Sequence, residues 1–278
     1  NILDDAPTVL SQVDQTVDET NANATGSVSV NGQFFAESGQ DVGATYGGTD
    51  TFSSSVPLTS NGVPVQVGYN DATSTYIGTA GTAIVFTAEM DPATGEYVFT
   101  LYAPLDHPDS TNPDDVISLD FGAFISDFDG DTKTGTFTIN VKDDGPELGS
   151  SQNVVDETDG NVTVTGTVAG NPGFDGASEY SGTDSFASSG SQLGGALTSG
   201  GDAVAVTFDA TTGVYTGATA TETIFTLTIN SDGTYAFELL GTLDHADANN
   251  ANDIITLDFG VKIEDNDGDQ DDNIIRIL

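Results

Sequence analysis

The chain is predicted to be all-β, folded as two tandem β-sandwich domains. Three observations lead there. Thr, Ser, Gly, Val and Asp dominate the composition, and these are residues of strands and turns rather than helices. Short segments alternate apolar and polar side chains with period two, between clusters of Gly, Asp, Asn and Pro. The sequence also repeats. Val17-Asp18-Glu19-Thr20 returns as Val155-Asp156-Glu157-Thr158, and Leu105-Asp106-His107 returns as Leu243-Asp244-His245, both with a shift of 138. That period is too long for a solenoid unit and suits a whole domain. The domains are placed at residues 1–145 and 146–278.

Each element has its own signal. In the first copy, strands are predicted over Ala24–Val30, Val63–Tyr69, Ala83–Glu89, Glu96–Tyr102, Val116–Phe124 and Thr134–Val141. Glu96–Tyr102 puts Tyr97, Phe99 and Leu101 on one face. Val116–Phe124 does the same with Ile117, Leu119 and Phe121. The second copy gives Asn161–Val168, Ala203–Phe208, Glu222–Ile229, Thr234–Leu240, Ile254–Ile263 and Asn273–Leu278. Asn230-Ser231-Asp232-Gly233 reads as a hairpin turn, and Asp91-Pro92-Ala93-Thr94-Gly95 fills the same place in copy one. No segment carries a convincing helical period. Between anchors the shift drifts. Tyr46-Gly47-Gly48-Thr49-Asp50 matches Tyr180-Ser181-Gly182-Thr183-Asp184 at 134, and Leu58-Thr59-Ser60 matches Leu197-Thr198-Ser199 at 139, as loop insertions on a shared scaffold would produce. The copies differ most where Asn31–Asp41 of the first faces Gly170–Gly176 of the second, which reads as loop drift. Asp143-Asp144-Gly145-Pro146 at the junction matches Asp4-Asp5-Ala6-Pro7, so the segment reads as cut in register from a longer array.

The net charge is −40, from 44 acids against four Lys and Arg. A chain this acidic does not bind nucleic acid through phosphates, and anionic membranes repel it. Bound divalent metal and a solvated halophilic surface are two ways to tolerate such charge. Recurrence of the acids at matching positions favours metal. Cysteine is absent, which excludes disulfides, thiolate metal sites and Cys nucleophiles. No apolar run approaches the length of a membrane-spanning helix.

Two acidic loops carry the strongest metal signal. Asp127-Phe128-Asp129-Gly130-Asp131 follows one Leu-Asp-Phe-Gly strand, and Asp265-Asn266-Asp267-Gly268-Asp269 follows the other. Two like charges about 4 Å apart repel by roughly 1 kcal/mol even in water. Calcium removes that penalty, because it takes 6–8 oxygens in flexible geometry. Asp127, Asp129, Asp131, Asp265, Asp267 and Asp269 are therefore candidate calcium ligands. The loops are not EF-hands, since Thr138 and Arg276 stand where that motif needs a bidentate Glu. A second candidate set flanks the junction. Asp143 and Asp144 end one domain and Asp156 and Glu157 begin the next, so an ion bridging them would fix the joint. Asp18 and Glu19 would then serve an upstream neighbour. The first loop sits just before the strand that runs to Asp143, which points to stabilisation of the domain end leading to the joint.

Catalysis finds little support. His107 and His245 are the only histidines and occupy equivalent positions, with no nucleophile-elbow pattern, so both read as structural. Asp114, Asp115 and Asp253 nearby could ligate a further ion. A carboxylate pair for glycoside hydrolysis is not expected in tandem duplicate, and Trp platforms are absent. The chain is read as non-enzymatic.

Taken together, Val-Asp-Glu-Thr, Leu-Thr-Ser-x-Gly, Gly-x-Tyr-x-Phe-x-Leu, Leu-Asp-His, Leu-Asp-Phe-Gly, Asp-x-Asp-Gly-Asp and Asp-Asp-x-Pro resemble the tandem Ig-like or cadherin-like repeats of giant RTX adhesins exported by type I secretion. The resemblance covers essentially the whole chain, twice. It implies a monomeric, calcium-stiffened extender on a Gram-negative cell surface, contacting neighbouring repeats of its own chain and serving adhesion or biofilm formation. The Gly-Gly-x-Gly-x-Asp nonapeptides of such proteins are absent, which implies an internal segment. Copy two also stops short of its own Asp-Asp-x-Pro. The alternative is a binding module that holds a cell-surface peptide or glycan through a calcium-assisted site, with Phe34-Phe35 as the segment to vary.

Overall fold

The computed structural model describes residues 5–40, 43–176, 178–190, 196–247, 249–250 and 252–278. Its contacts divide the chain into two compact units. The first holds residues 1–145 with Gly173–Asp175, and the second holds Pro146–Pro172 with Gly176–Leu278. Among the described residues the only helical turns are two short 3-10 turns, Glu19–Ala22 and Glu157–Asp159. The chain is all-β, and each unit is a β-sandwich.

In the first unit a four-stranded sheet runs Gln15–Asp18, Thr132–Lys142, Val116–Ser126, Thr45–Ser54. It faces a six-stranded sheet running from Val28–Gln33 through Glu96–Leu101, Ala83–Met90, Thr75–Ala80 and Val63–Asn70 to Thr59–Ser60. The central hairpin pairs Val116 with Lys142 and continues in register to Ser126 with Thr132, so the first acidic loop is its tip. Gln15–Asp18 pairs in parallel with Ile139–Lys142. The second unit repeats this. Ser151–Asn153, Gln270–Ile277, Leu257–Glu264 and Glu179–Ser188 form one sheet, against a five-stranded sheet from Val162–Thr167 to Ala205–Asp209.

Alternation sends the same side chains inward in both copies. Ile117, Leu119 and Phe121 are buried, as are Tyr97, Phe99 and Leu101. Phe121 bridges the two sheets, with ring centroids 6.0 Å from Phe86, 6.1 Å from Phe99, 5.2 Å from Phe137 and 5.2 Å from Tyr76. Phe259 holds the same place in the second unit, 5.3 Å from Tyr215 and 5.9 Å from Phe225.

Several strands in each unit lie outside the sequence reading. Thr45–Ser54 and Glu179–Ser188 are strands although they contain the turn-like Gly47-Gly48-Thr49-Asp50 and Ser181-Gly182-Thr183-Asp184. Each bulges against its partner at the Leu-Asp-Phe-Gly glycine, where Asp50 (φ 56°) and Asp184 (φ 60°) adopt left-handed backbone. A Cβ on Gly122 would stand 2.2 Å from Thr49 Oγ1, and one on Gly260 would stand 2.1 Å from Thr183 Oγ1. The hydroxyls of Tyr76 and Tyr215 close the bulge by donating to the Gly122 and Gly260 carbonyls at 2.7 and 2.8 Å. Thr75–Ala80 and Val214–Ala218 are a second unforeseen pair, masked by Gly and Thr, and Gln15–Asp18 and Ser151–Asn153 are a third. The predicted start at Ala24 is instead a turn, with the Gly26 amide donating to the Ala22 carbonyl at 2.7 Å.

One core difference between copies is testable. Tyr235 Oη meets Ser151 Oγ and Asn153 Nδ2, both at 2.9 Å. Tyr97 Oη is buried without a hydrogen-bond partner, and burial, with a smaller contribution from the Asp14 charge, pushes its pKa up to about 12. Tyr235→Phe is expected to cost about 1 kcal/mol, whereas Tyr97→Phe is expected to be neutral or to stabilise by up to about 1 kcal/mol. Urea unfolding of the two variants checks this, and an equal loss in both would refute it.

Candidate metal centre

The shared motifs become intelligible as one assembly in the first unit. Val17 pairs with Val141 in the parallel ladder. Asp18 then caps the 3-10 turn, its Oδ1 accepting from the Thr20 amide at 3.1 Å, and its Oδ2 meets Lys142 Nζ at 3.3 Å. The turn carries the Glu19 side chain inward, where Oε1 accepts from the Leu105 amide at 3.0 Å. Asp106 holds the Asn61-Gly62 turn by accepting from the Gly62 amide at 2.8 Å. His107 Nδ1 is hydrogen-bonded to Asp115 Oδ1. Val-Asp-Glu-Thr, Leu-Thr-Ser-x-Gly and Leu-Asp-His are thus adjoining parts of one end of the sandwich.

Glu19 lies there with Asp143, Asp144 and Asp175, each offering a carboxylate oxygen within 4.8 Å of the others. Glu19, His107 and Asp143 form an overlapping set. All are buried, and Glu19 has no exposed surface. Burial, then the charge of Asp175, raises the Glu19 pKa well above the usual carboxylate range, with Asp143 and Asp144 adding to it. Glu19 Oε2 is buried with no hydrogen-bond partner. An unsatisfied buried charge of this kind costs more than the roughly 1–3 kcal/mol of a neutral group. A hard cation fits the all-oxygen donor set of Glu19, Asp143, Asp144 and Asp175.

Within this cluster the junction acids Asp143 and Asp144 meet Glu19 of their own unit, with Asp175 as their further companion. The physical reason is the parallel ladder, which carries the turn after Asp18 to the end of the strand that leads into Asp143. Glu157 repeats the role of Glu19 within the second unit, accepting from the Leu243 amide at 2.7 Å, and Asp156 repeats the cap, accepting from the Thr158 amide at 2.8 Å. There Glu157, His245, Leu243 and Ile255 border an open cleft of about 740 Å³. His245 Nε2 stands 3.6 Å from Glu157 Oε2.

Asp175 is the site residue that sequence reading missed, because its loop reads as drift. A signal existed, since Asp175 matches Asp41 at the shift of 134 that relates Tyr46 to Tyr180. The segment is anchored by the Phe174 amide, which donates to Asp144 Oδ2 at 2.9 Å.

The two acidic loops share one geometry. Asp127 Oδ1 accepts from the Gly130 and Asp131 amides at 3.1 and 2.9 Å, and Asp265 Oδ1 accepts from Gly268 and Asp269 at the same distances. Gly130 (φ 103°) and Gly268 (φ 109°) take backbone that other residues rarely adopt. Asp127, Asp129 and Asp131 come within 4.8 Å of one another. The outer oxygens Asp127 Oδ2 and Asp265 Oδ2 are buried without partners. Burial and the neighbouring Asp267 push the Asp265 pKa up to about 7. The first loop is not at the end leading to Asp143, as its position in sequence suggests. The strand Thr132–Lys142 separates them, by about 33 Å at 3.3 Å per residue.

Asp114, Asp115 and Asp253 serve their loops. Asp114 pairs with Lys142 at 2.6 Å, Asp115 holds His107, and Asp253 accepts from the Asp247 amide at 2.8 Å. Among the described residues none of the three joins an acidic cluster. Phe34 is fully buried and Phe35 partly exposed, so Phe34 is core rather than binding surface. No helix among the described residues is long and apolar enough to cross a membrane.

A family profile described as a domain of unknown function (DUF5801) matches residues 14–140. No curated protein matches the chain. Similar solved structures include Drosophila N-cadherin EC1-4, at 16% identity over 99% of this chain and 49% of that one, with TM-score 0.30. Protocadherin gammaB7 EC3-6, described as a cis-dimer, is 14% identical over 99% and 52%, with TM-score 0.32. The human Desmocollin-1 ectodomain is 13% identical over 98% and 41%, with TM-score 0.29. The chain spans about half the length of these structures.

Proposed function

We propose that the chain is a calcium-stabilised extender segment of a large bacterial surface adhesin. In this reading it is exported by type I secretion and projects an adhesive region for cell adhesion or biofilm formation. The observation that supports it is the buried set of Glu19, Asp143, Asp144 and Asp175, which has no cationic side chain among its members. These residues would hold calcium, with Asp127, Asp129 and Asp131 a second site and Asp265, Asp267 and Asp269 a third. Bound calcium supplies the positive charge that lets the carboxylates stay ionised when buried. The chain's part is to bring them together: the parallel ladder delivers Glu19, the hairpin delivers Asp143 and Asp144, and the Gly173–Asp175 loop delivers Asp175. Calcium then ties chain segments far apart in sequence, and low calcium would leave them loose enough for export.

Solution scattering in calcium and in chelator tests the mechanical part. The radius of gyration is expected to change when calcium is removed and to recover when it returns. Identical profiles in both conditions would sink the extender reading. Glu19→Gln is expected to weaken the tightest calcium-binding step by about tenfold or more in equilibrium titration.

A further inference from the structure

We propose that Asn23 and Asn161 are acceptors of N-linked glycan. Asn23-Ala24-Thr25 and Asn161-Val162-Thr163 are the only Asn-x-Ser/Thr triplets in the chain, and they lie at the repeat shift of 138. Val-Asp-Glu-Thr stands just before both at the same shift, whereas the two residues between differ, Asn21-Ala22 in the first copy and Asp159-Gly160 in the second. A shared capping role does not explain the two asparagines. Asn23 is the C-cap of its 3-10 turn, at φ −49°, whereas Gly160 takes that place in the second unit and Asn161 lies beyond it.

Asn23 and Thr25 are exposed, and so are Asn161 and Thr163. Among the described residues no hydrogen bond engages either asparagine side chain, so both are open to an enzyme from solvent. The first triplet precedes an edge strand of the larger sheet of its unit, Val28–Gln33, and the second overlaps the start of one, with Val162 and Thr163 inside Val162–Thr167. A sugar there would cover an open row of backbone donors and acceptors that could otherwise pair with another chain. The co-reactant is a sugar activated as a pyrophosphate ester, either nucleotide-linked or lipid-linked. The asparagine Nδ2 attacks the anomeric carbon and the new C–N bond forms. The C–O bond to the pyrophosphate breaks, the pyrophosphate leaves with the electron pair, and the amide proton passes to a base of the transferase. The inference does not depend on calcium binding.

The test is peptide mapping by mass spectrometry of the protein taken from the cells that make it. The folded 278-residue chain is also offered to one transferase using nucleotide-linked sugar and to another using lipid-linked sugar. Sugar is expected at both asparagines, with the active donor identifying the route. Asn23→Gln and Asn161→Gln are each expected to abolish one modified peptide, and Thr25→Val and Thr163→Val to do the same. Bare asparagine at either position in the native protein overturns the proposal. So does modification in vitro only after the chain has been unfolded.

Discussion

Chelation of divalent cations at neutral pH is expected to lower the melting temperature by roughly 4–10 °C for each ion lost. Extracellular calcium modules bind with dissociation constants near 10⁻⁴–10⁻³ M, so about 10 mM calcium adds about 1.4–2.7 kcal/mol per site. For domains of this size 1 kcal/mol shifts melting by a few degrees. The pH dependence should invert with calcium. In chelator, Asp265 (pKa about 7) and Glu19 (raised well above its usual range) bind protons in the folded state that the unfolded chain has already released. Stability in chelator therefore falls as pH rises from about 4 towards 7. In calcium the ion replaces the protons, and stability should hold or rise over the same interval. Calorimetry at pH 5 and pH 7, with and without calcium, separates the two. Melting that ignores chelator at pH 7 would remove the metal reading, and a chelated protein that melts higher at pH 7 than at pH 5 would reverse the electrostatic account.

Phe121→Ala and Phe259→Ala are expected to cost about 3–5 kcal/mol each, as large-to-small changes at the centre of a core do. Phe121 has no exposed surface and sits among five rings, with Phe52 the fifth at 5.3 Å. Phe259 sits among four, because Ile275 stands where the first unit has Phe137. The cavity left at Phe121 is walled by rigid rings that collapse poorly, so its loss should be the larger of the two. Denaturant unfolding measures both. Leu at either site should recover more than half of the loss, since it refills most of the volume. A cost below about 1 kcal/mol at Phe121 would mean that the two sheets do not depend on it.

What was legible in the sequence was local. Leu119 and Phe121, or Tyr97, Phe99 and Leu101, declare a buried face through strict alternation. The acidic loops stand out through three carboxylates within five residues, at the same place in both copies. The strand around Asp50 was hidden because the residues that permit a bulge (Gly, Thr and Asp) also make turns. The destination of Glu19 was hidden for a different reason. Its neighbours in the centre lie 86 residues away at Leu105 and more than 120 away at Asp143, and only the parallel pairing of Gln15–Asp18 with Ile139–Lys142 brings them together. Periodicity carries no information about such a pairing. Asp175 was lost to an insertion that moved it out of register with the anchors on either side.

That same parallel pairing has a mechanical consequence. In each unit the first strand of the four-stranded sheet lies beside the last and points the same way, Gln15–Asp18 with Ile139–Lys142 and Ser151–Asn153 with Ile275–Ile277. A pull that draws the two ends of a unit apart drags these strands past each other along their length. The hydrogen bonds of the ladder are then loaded together in shear, not peeled open one after another. Such a unit resists stretching by breaking several bonds at once, so its strength under tension is set by four or fewer residue pairs at the sheet edge, well away from the aromatic core.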